Sequence, residues 1–256
     1  MLYQKHNSVG NYTFEAIVYD NFNFVLHLHK HHELIYVLEG EVDVEVENRI
    51  ETAKQGDFAL ILGDHAHAYY TKNHSKVWVA VFSCDWVGKF NSMVNNRRGT
   101  SSVFICDYGT SKFLVDNLIN RNDYSVLELK AYLYTVCAEY EKQAKFIEQR
   151  QQGKDLFHKI LEYISEHYKE PITLKQIAKE LGYEEHYLSR CFHNNIKMNF
   201  RQFINQYRVD CAKDMLLNGG RSISTIALES GFQSIRTFNR VFKNLTGTQP
   251  RSYIES

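Results

Sequence analysis

The chain has 256 residues, with 30 Lys+Arg and 30 Asp+Glu, so its formal net charge is zero with His neutral. That length allows one large domain or two ordinary ones, and zero charge excludes a uniformly basic nucleic-acid coat and an acidic solvating tail. The zero is a cancellation: residues 1–153 hold 15 basic and 19 acidic side chains, net −4, and residues 154–256 hold 15 and 11, net +4, which directs the search for a polyanionic partner to the second part.

Met1 to Asn11 is polar and lacks an apolar core segment, so no secretory leader is expected. The longest strongly apolar run, about Val77 to Cys84, is far short of the roughly 18 residues a membrane span needs. Five Cys (84, 106, 137, 191 and 211) without CxxC spacing point to reduced, buried thiols in a cytosolic protein. From residue 12 to about 105 the pattern is that of strands. Val42, Val44 and Val46 alternate with Asp43, Glu45 and Glu47, a period of two. Phe58–Leu62 and Val77–Phe82 are short apolar runs rich in β formers, and Gly40, Gly56 and Gly63 mark turns between runs. Short strands at this spacing predict an all-β sandwich or barrel.

Within that region His27-Leu28-His29 puts two imidazoles on one face of a strand. Glu33 follows, then Gly40, and Gly56-Asp57-Phe58-Ala59-Leu60-Ile61 leads on to His67. This spacing resembles the two cupin motifs. In metal-binding cupins the resemblance makes His27, His29, Glu33 and His67 the ligands, and three imidazoles with a carboxylate suit Fe, Mn, Zn, Ni or Cu. The second motif departs at Leu62, Asp64 and Thr71, none of them a ligand position. His/Glu clusters also serve as hydrogen-bonding groups in polar pockets, so a divalent metal and an organic effector both remain open. His31 and His32 are expected at a strand edge, and His65 either on the face of His67 or in a loop. Among many aromatics, Tyr36 and Trp78 are the candidates to join His27, His29, Glu33 and His67 in an effector pocket suited to a sugar.

The period then changes. Val126, Leu129, Leu133, Val136 and Tyr140 recur at 3, 4, 3, 4, predicting a helix over roughly 125–147, with a shorter one around Ser111–Ile119 before it. The apolar seam either packs on the β domain or forms a dimer contact. Gln149–Gly153 has the composition of a linker, and the pattern is helical from Asp155 almost to the end.

The basic part is an internal repeat. Ala178, Gly182 and Tyr183 recur 49 residues on as Ala227, Gly231 and Phe232; Leu188, Ser189, Arg190 and Phe192 recur 50 on as Phe238, Asn239, Arg240 and Phe242; Arg201, Phe203 and Ile204 recur as Arg251, Tyr253 and Ile254. Each copy predicts helix, tight turn, helix, with a small Ala for close approach and a Gly for positive φ. Thr173 and Ser222 are the expected N-caps, and a helix over about Phe200–Leu217 joins the copies. In the second helix of each copy, His186, Ser189, Arg190 and His193 share a face, as do Arg236, Asn239, Arg240 and Lys243. Such donors suit base edges and phosphates, and the linking helix would hold the two faces about one DNA turn apart.

The segments Ile172–Tyr183, Tyr187–Phe192, Ile223–Phe232, Phe238–Lys243 and Thr246–Tyr253 closely resemble the DNA-binding domain of the AraC/XylS family of transcription regulators, over about residues 154–254. Lys197 stands where that family usually has Gly. The resemblance implies an α+β multidomain chain: a cupin-type β-barrel over 1–108, a helical dimerisation or packing segment over 109–150, and an all-α domain over 154–256 with two helix-turn-helix motifs joined by a long helix. It implies a cytoplasmic, non-enzymatic homodimer that binds a promoter site in double-stranded DNA and a sugar-like effector, and meets RNA polymerase if it activates. A metal-dependent cupin enzyme, an oxygenase or isomerase with an accessory helical domain, is the alternative.

Overall fold

The computed structural model describes residues 13–94, 97–148, 156–196, 198–217 and 219–253. The predicted linker at Gln149–Gly153, the departure at Lys197 and the repeat partner Ile254 lie outside them. The chain divides into two compact units, one containing His29–Gln152 and the other containing Phe24–Leu28 together with Gly153–Ser256. Among the described residues no helix is long and apolar enough to cross a membrane.

The first part of the chain forms strands β1 (Phe14–Asp20), β2 (Phe24–His27), β3 (His32–Val46), β4 (Arg49–Lys54), β5 (Phe58–Ile61), β6 (His67–Tyr70), β7 (Ser75–Phe82), β8 (Arg97–Gly99) and β9 (Val103–Phe104), all but β2 within the first unit. They form a sheet ordered β1-β7-β3-β5-β9, with β4 and β6 also pairing with β3, β6 with β2, and β8 lying apart. The long β3 is its hub because a register shift between Val37 and Glu39 lets one strand serve two groups of neighbours.

The register of β3 on β7 decides which side chains meet. Leu34 pairs with Ala80 and Tyr36 with Trp78, whereas Glu33 pairs with Val81 and Ile35 with Val79. Paired residues share a face and successive residues alternate. Tyr36 and Trp78 therefore lie on the opposite face from Glu33. That face builds the core of the unit, where Leu34, Trp78, Phe58 and Phe104 pack with helical residues from further along the chain.

Three helices complete this unit: α1 (Gly88–Val94), α2 (Tyr108–Leu114) and α3 (Val126–Gln143). The predicted helix at 111–119 starts earlier, because Asp107 caps it by accepting from the Thr110 N–H at 3.1 Å, and it runs on as a π-turn over Val115–Ile119. The helix predicted to reach residue 147 opens on a capping box between Ser125 and Glu128. It stops at Gln143, because Ala144 turns extended and β10 (Phe146–Glu148) pairs with β8. Its seam packs on the strands: Leu129, Leu133, Val136 and Tyr140 are buried in their own unit, and Val126 alone of the five is exposed. Packing within the unit accounts for the burial of those four residues.

The second unit comprises α4 (Leu156–His167), α5 (Leu174–Leu181), α6 (Glu185–Ile196), α7 (Phe200–Leu217), α8 (Ile223–Glu229) and α9 (Ile235–Thr246). Thr173 and Ser222 cap α5 and α8 as expected, accepting from Gln176 at 3.2 Å and Thr225 at 3.1 Å. Gly182 has φ +71° and Gly231 φ +90°, conformations that a Cβ disfavours. The repeat extends to packing. Phe192 meets Phe203 edge-on at 5.4 Å, and Phe242 meets Tyr253 edge-on at 5.5 Å. Phe238 takes the buried place of Leu188 despite the extra residue before α9.

Candidate functional site

Each helix-turn-helix buries one side of its second helix and leaves the other open. Leu188 and Phe192 anchor α6; Phe238, Val241 and Phe242 anchor α9. The remaining positions repeat: His186, Arg190 and His193 are exposed and Ser189 half-buried; Arg236, Arg240 and Lys243 are exposed and Asn239 half-buried. The eight predicted residues thus form two faces with the same sequence of exposure, 50 residues apart.

Their chemistry is uncommitted. Among the described residues, the side chains of His186, Ser189, Arg190, His193, Arg236, Arg240 and Lys243 make no hydrogen bond or ion pair. The Oδ1 of Asn239 is buried without a partner. Two further arginines of this unit are engaged: Arg208 donates to the carbonyls of Tyr168 and Glu170 at 2.8 and 2.7 Å, and Arg221 pairs with Glu229 at 3.0 Å. Cations held on a rigid helix face without internal acids are free to meet phosphates and base edges.

The strand-rich unit carries the second site. Glu33, on β3, is fully buried, and its Oε2 lies 3.1 Å from Nε2 of His29 and 3.5 Å from Nε2 of His67. Nδ1 of His29 is 3.1 Å from the His31 carbonyl, and Nδ1 of His67 is 2.8 Å from the His65 carbonyl. A carbonyl only accepts, so both Nδ1 atoms carry the proton. In a neutral imidazole the Nε2 lone pair is then turned toward the carboxylate. Burial pushes the His29 imidazole down, against the opposing pull of Glu33. Burial pushes the Glu33 carboxyl up; where His29 and His67 are protonated, their Nε2 hydrogens turn to it and outweigh burial, holding it well below the usual range. One ligand atom from each of His27, His29, Glu33 and His67 lies within 4.8 Å of the others, and all four residues are buried. All four expected ligands are therefore together.

Tyr69, two residues beyond His67 on β6, completes the surroundings of Glu33. Burial and the nearby Glu33 carboxylate raise its hydroxyl pKa well above the usual range. Its ring stacks on Phe22 at 4.6 Å, and Phe22 stacks on Tyr19 at 4.5 Å. Tyr69, with Phe22 and Tyr19 stacked behind it, stands beside the cluster, and Tyr36 and Trp78 do not. Sequence reasoning missed Tyr69, which an even spacing from His67 could have found. His32 is no edge residue. It is buried and accepts from the Gly63 N–H at 3.0 Å, and burial, with nearby histidines, lowers its pKa to about 3. His31 is half-buried, and His65 sits in the loop before β6, turned inward.

Residues 177–256 match the helix-turn-helix domain family, and residues 21–82 match the cupin domain family. An uncharacterized HTH-type transcriptional regulator of Staphylococcus aureus (strain MRSA252) is 24% identical over 228 residues, which is 85% of this chain and 30% of that protein. The chain thus spans about a third of the length of such relatives. The Msm operon regulatory protein of Streptococcus mutans is 23% identical over 256 residues, covering 94% of this chain and 87% of its own. The first is a transcriptional regulator and the second an operon regulatory protein. Among solved structures, ToxT from Vibrio cholerae superposes with a TM-score of 0.61 at 18% identity, over 94% of this chain and 98% of its own. ToxT solved with an unsaturated fatty acid bound gives 0.62 at 18% identity, over 97% of each chain. The fold is shared across both units.

Proposed function

We propose that this chain, which carries an AraC-type helix-turn-helix domain behind a cupin domain, is a transcription regulator that binds double-stranded DNA through α6 and α9 and answers to a small molecule held in its strand-rich unit. The observation that carries the reading is the pair of matched faces, whose cations and polar donors are spent on nothing among the described residues. A single solvated face would mean little. Two, at equal offset in a repeated motif, are what a two-site reader of one duplex requires. In this reading residues 1–108 with the helices of 109–150 are the sensor, residues 154–256 the reader, and a cytoplasmic homodimer the working form, which meets RNA polymerase if it activates.

Two imidazoles, a carboxylate and a phenol set beside stacked rings suit an effector rich in hydroxyls, a sugar or related metabolite, better than the unsaturated fatty acid seen in ToxT. The donor set also fits a divalent transition metal: lone pairs of buried imidazoles and an ionised carboxylate face one another, an arrangement a cation satisfies. His27, His29, Glu33 and His67 would hold it, and the ion would supply a Lewis-acid anchor for an effector oxygen.

The test is selection from a random duplex pool by the full chain, repeated with candidate sugars and metals. A specific duplex is expected to emerge, with an affinity that falls steeply with salt and shifts when the effector is added. Recovery of no sequence above the random background at moderate salt would overturn the reading.

A further inference from the structure

The two reading helices share geometry but not chemistry. Helix α6 carries Glu185 and Arg190 with two imidazoles; α9 carries Arg236, Arg240 and Lys243 and no acid. The contrast is sharpest at the first helical residue of each. Glu185 opens α6 and Ile235 opens α9, they are 50 residues apart, and both are exposed, Ile235 at 43%. Neither is engaged in the fold. Glu185 makes no hydrogen bond or ion pair among the described residues, and Ile235 is absent from the core around Phe238 and Phe242. Capping does not account for Ile235 either, since the preceding Ser234 caps α9 by accepting from Thr237 at 3.2 Å.

A recognition helix enters the major groove with its N-terminal residues at the base edges. A carboxylate brought there is repelled by the phosphates unless a base donates to it, and the cytosine N4 amino group is the donor that does so. An isoleucine at the same depth offers only apolar surface, which the thymine 5-methyl group matches. We infer that the two reading helices recognise unlike half-sites: Glu185 selects a cytosine in the half-site under α6, Ile235 selects a thymine in the half-site under α9, and α9, with three cations, holds more of the phosphate backbone. This rests on the DNA-binding reading above. The competing account, in which Glu185 merely complements the helix dipole, requires a change in melting temperature on substitution and no change in base preference.

The experiment uses the full chain. Wild type, Glu185→Ile, Ile235→Glu and Glu185→Gln are each selected against a random duplex pool, and the preference at every base is read. Glu185→Ile is expected to replace cytosine by thymine at one position, by about tenfold, and Ile235→Glu to make the reverse change in the other half-site. Glu185→Gln should move the first position toward adenine. Should a variant fail to fold, wild type alone still decides: uracil in place of thymine is expected to weaken binding several-fold at the position under Ile235. Unchanged base preferences in folded variants, or indifference to uracil, would overturn the inference while leaving the DNA-binding reading intact. If wild type enriches no sequence, the DNA-binding reading fails and the inference with it.

Discussion

Nε2 of His29 lies 3.1 Å from Oε2 of Glu33 in a fully buried site, and the His29 Nδ1 proton is already committed to the His31 carbonyl. A neutral imidazole can then only turn a lone pair toward the carboxylate, and His67 repeats the arrangement. A divalent ion relieves this. Zn2+ or Ni2+ is expected to raise the melting temperature of the full chain, by a stabilisation of about 2.7 kcal/mol at a hundredfold excess over Kd. Glu33→Ala should abolish the rise. Calorimetry with and without chelator reads both, and a wild-type transition indifferent to metal would leave the cluster as a hydrogen-bonding pocket for an organic effector.

The free donors on α6 and α9 give the second prediction. Arg190→Ala and Arg236→Ala should each lower discrimination between the best site and a mutated one by about 1–3 kcal/mol. Lys243→Ala should weaken binding to all sequences alike and reduce the salt slope by about 1. Fluorescence anisotropy across a salt series separates the two kinds of loss. Equal affinities for wild type and both arginine variants at the best site would count against these faces.

The repeat was legible because Ala178, Gly182, Leu188 and Phe192 each have a partner 49 or 50 residues on, and local turn chemistry fixes what such residues do. The cluster was legible because motif spacing marked His27, His29, Glu33 and His67. The aromatic partners were not. Tyr36 stands three residues from Glu33, an odd spacing that already puts it on the other face of a strand. Trp78 gets its face from a pairing with Tyr36 across 42 residues, and a one-residue change of register would reverse it. The end of α3 was hidden for a similar reason: pairing of β10 with the distant β8 overrides a local helical pattern.

The turn glycines are not equivalent, and alanine should tell them apart. At Gly182 a Cβ would enter open space, so Gly182→Ala costs only the positive-φ strain, about 1 kcal/mol. At Gly231 it would stand 2.7 Å from the Tyr168 carbonyl oxygen and 2.8 Å from Cα of Lys169, both backbone atoms. Gly231→Ala adds that clash to the strain and should cost roughly 2–4 kcal/mol. Urea melts of the two variants give the comparison, and equal losses would contradict it.

Thiol chemistry supplies the pH prediction. Burial pushes the Cys84 thiol up to about 11 and the Cys106 thiol up to about 12. A raised folded value means the native state keeps a proton that the unfolded chain has lost. The associated stability is present below pH 9 and drains away as pH climbs toward 11–12. Both thiols should therefore react slowly with a disulfide reagent at pH 7.5, and the strand-rich unit should soften above pH 9. Fast labelling of Cys84 or Cys106 under native conditions at neutral pH would refute this.

The seam of α3 separates folding from association. Leu133 is fully buried against the strands of its own unit, so Leu133→Ala removes packing and opens a cavity, at about 2–5 kcal/mol. Were the seam the contact between two copies, the same substitution would instead shift the monomer–dimer balance and leave the monomer's melting intact. Leu127, on the outer side of the same helix, is 79% exposed, and Leu127→Ala should leave melting unchanged within about 0.5 kcal/mol. Sedimentation and thermal melts on the two variants therefore have opposite expectations. Leu133→Ala lowers the melting temperature at every protein concentration, and a loss that disappears on dilution would place the seam in a dimer after all.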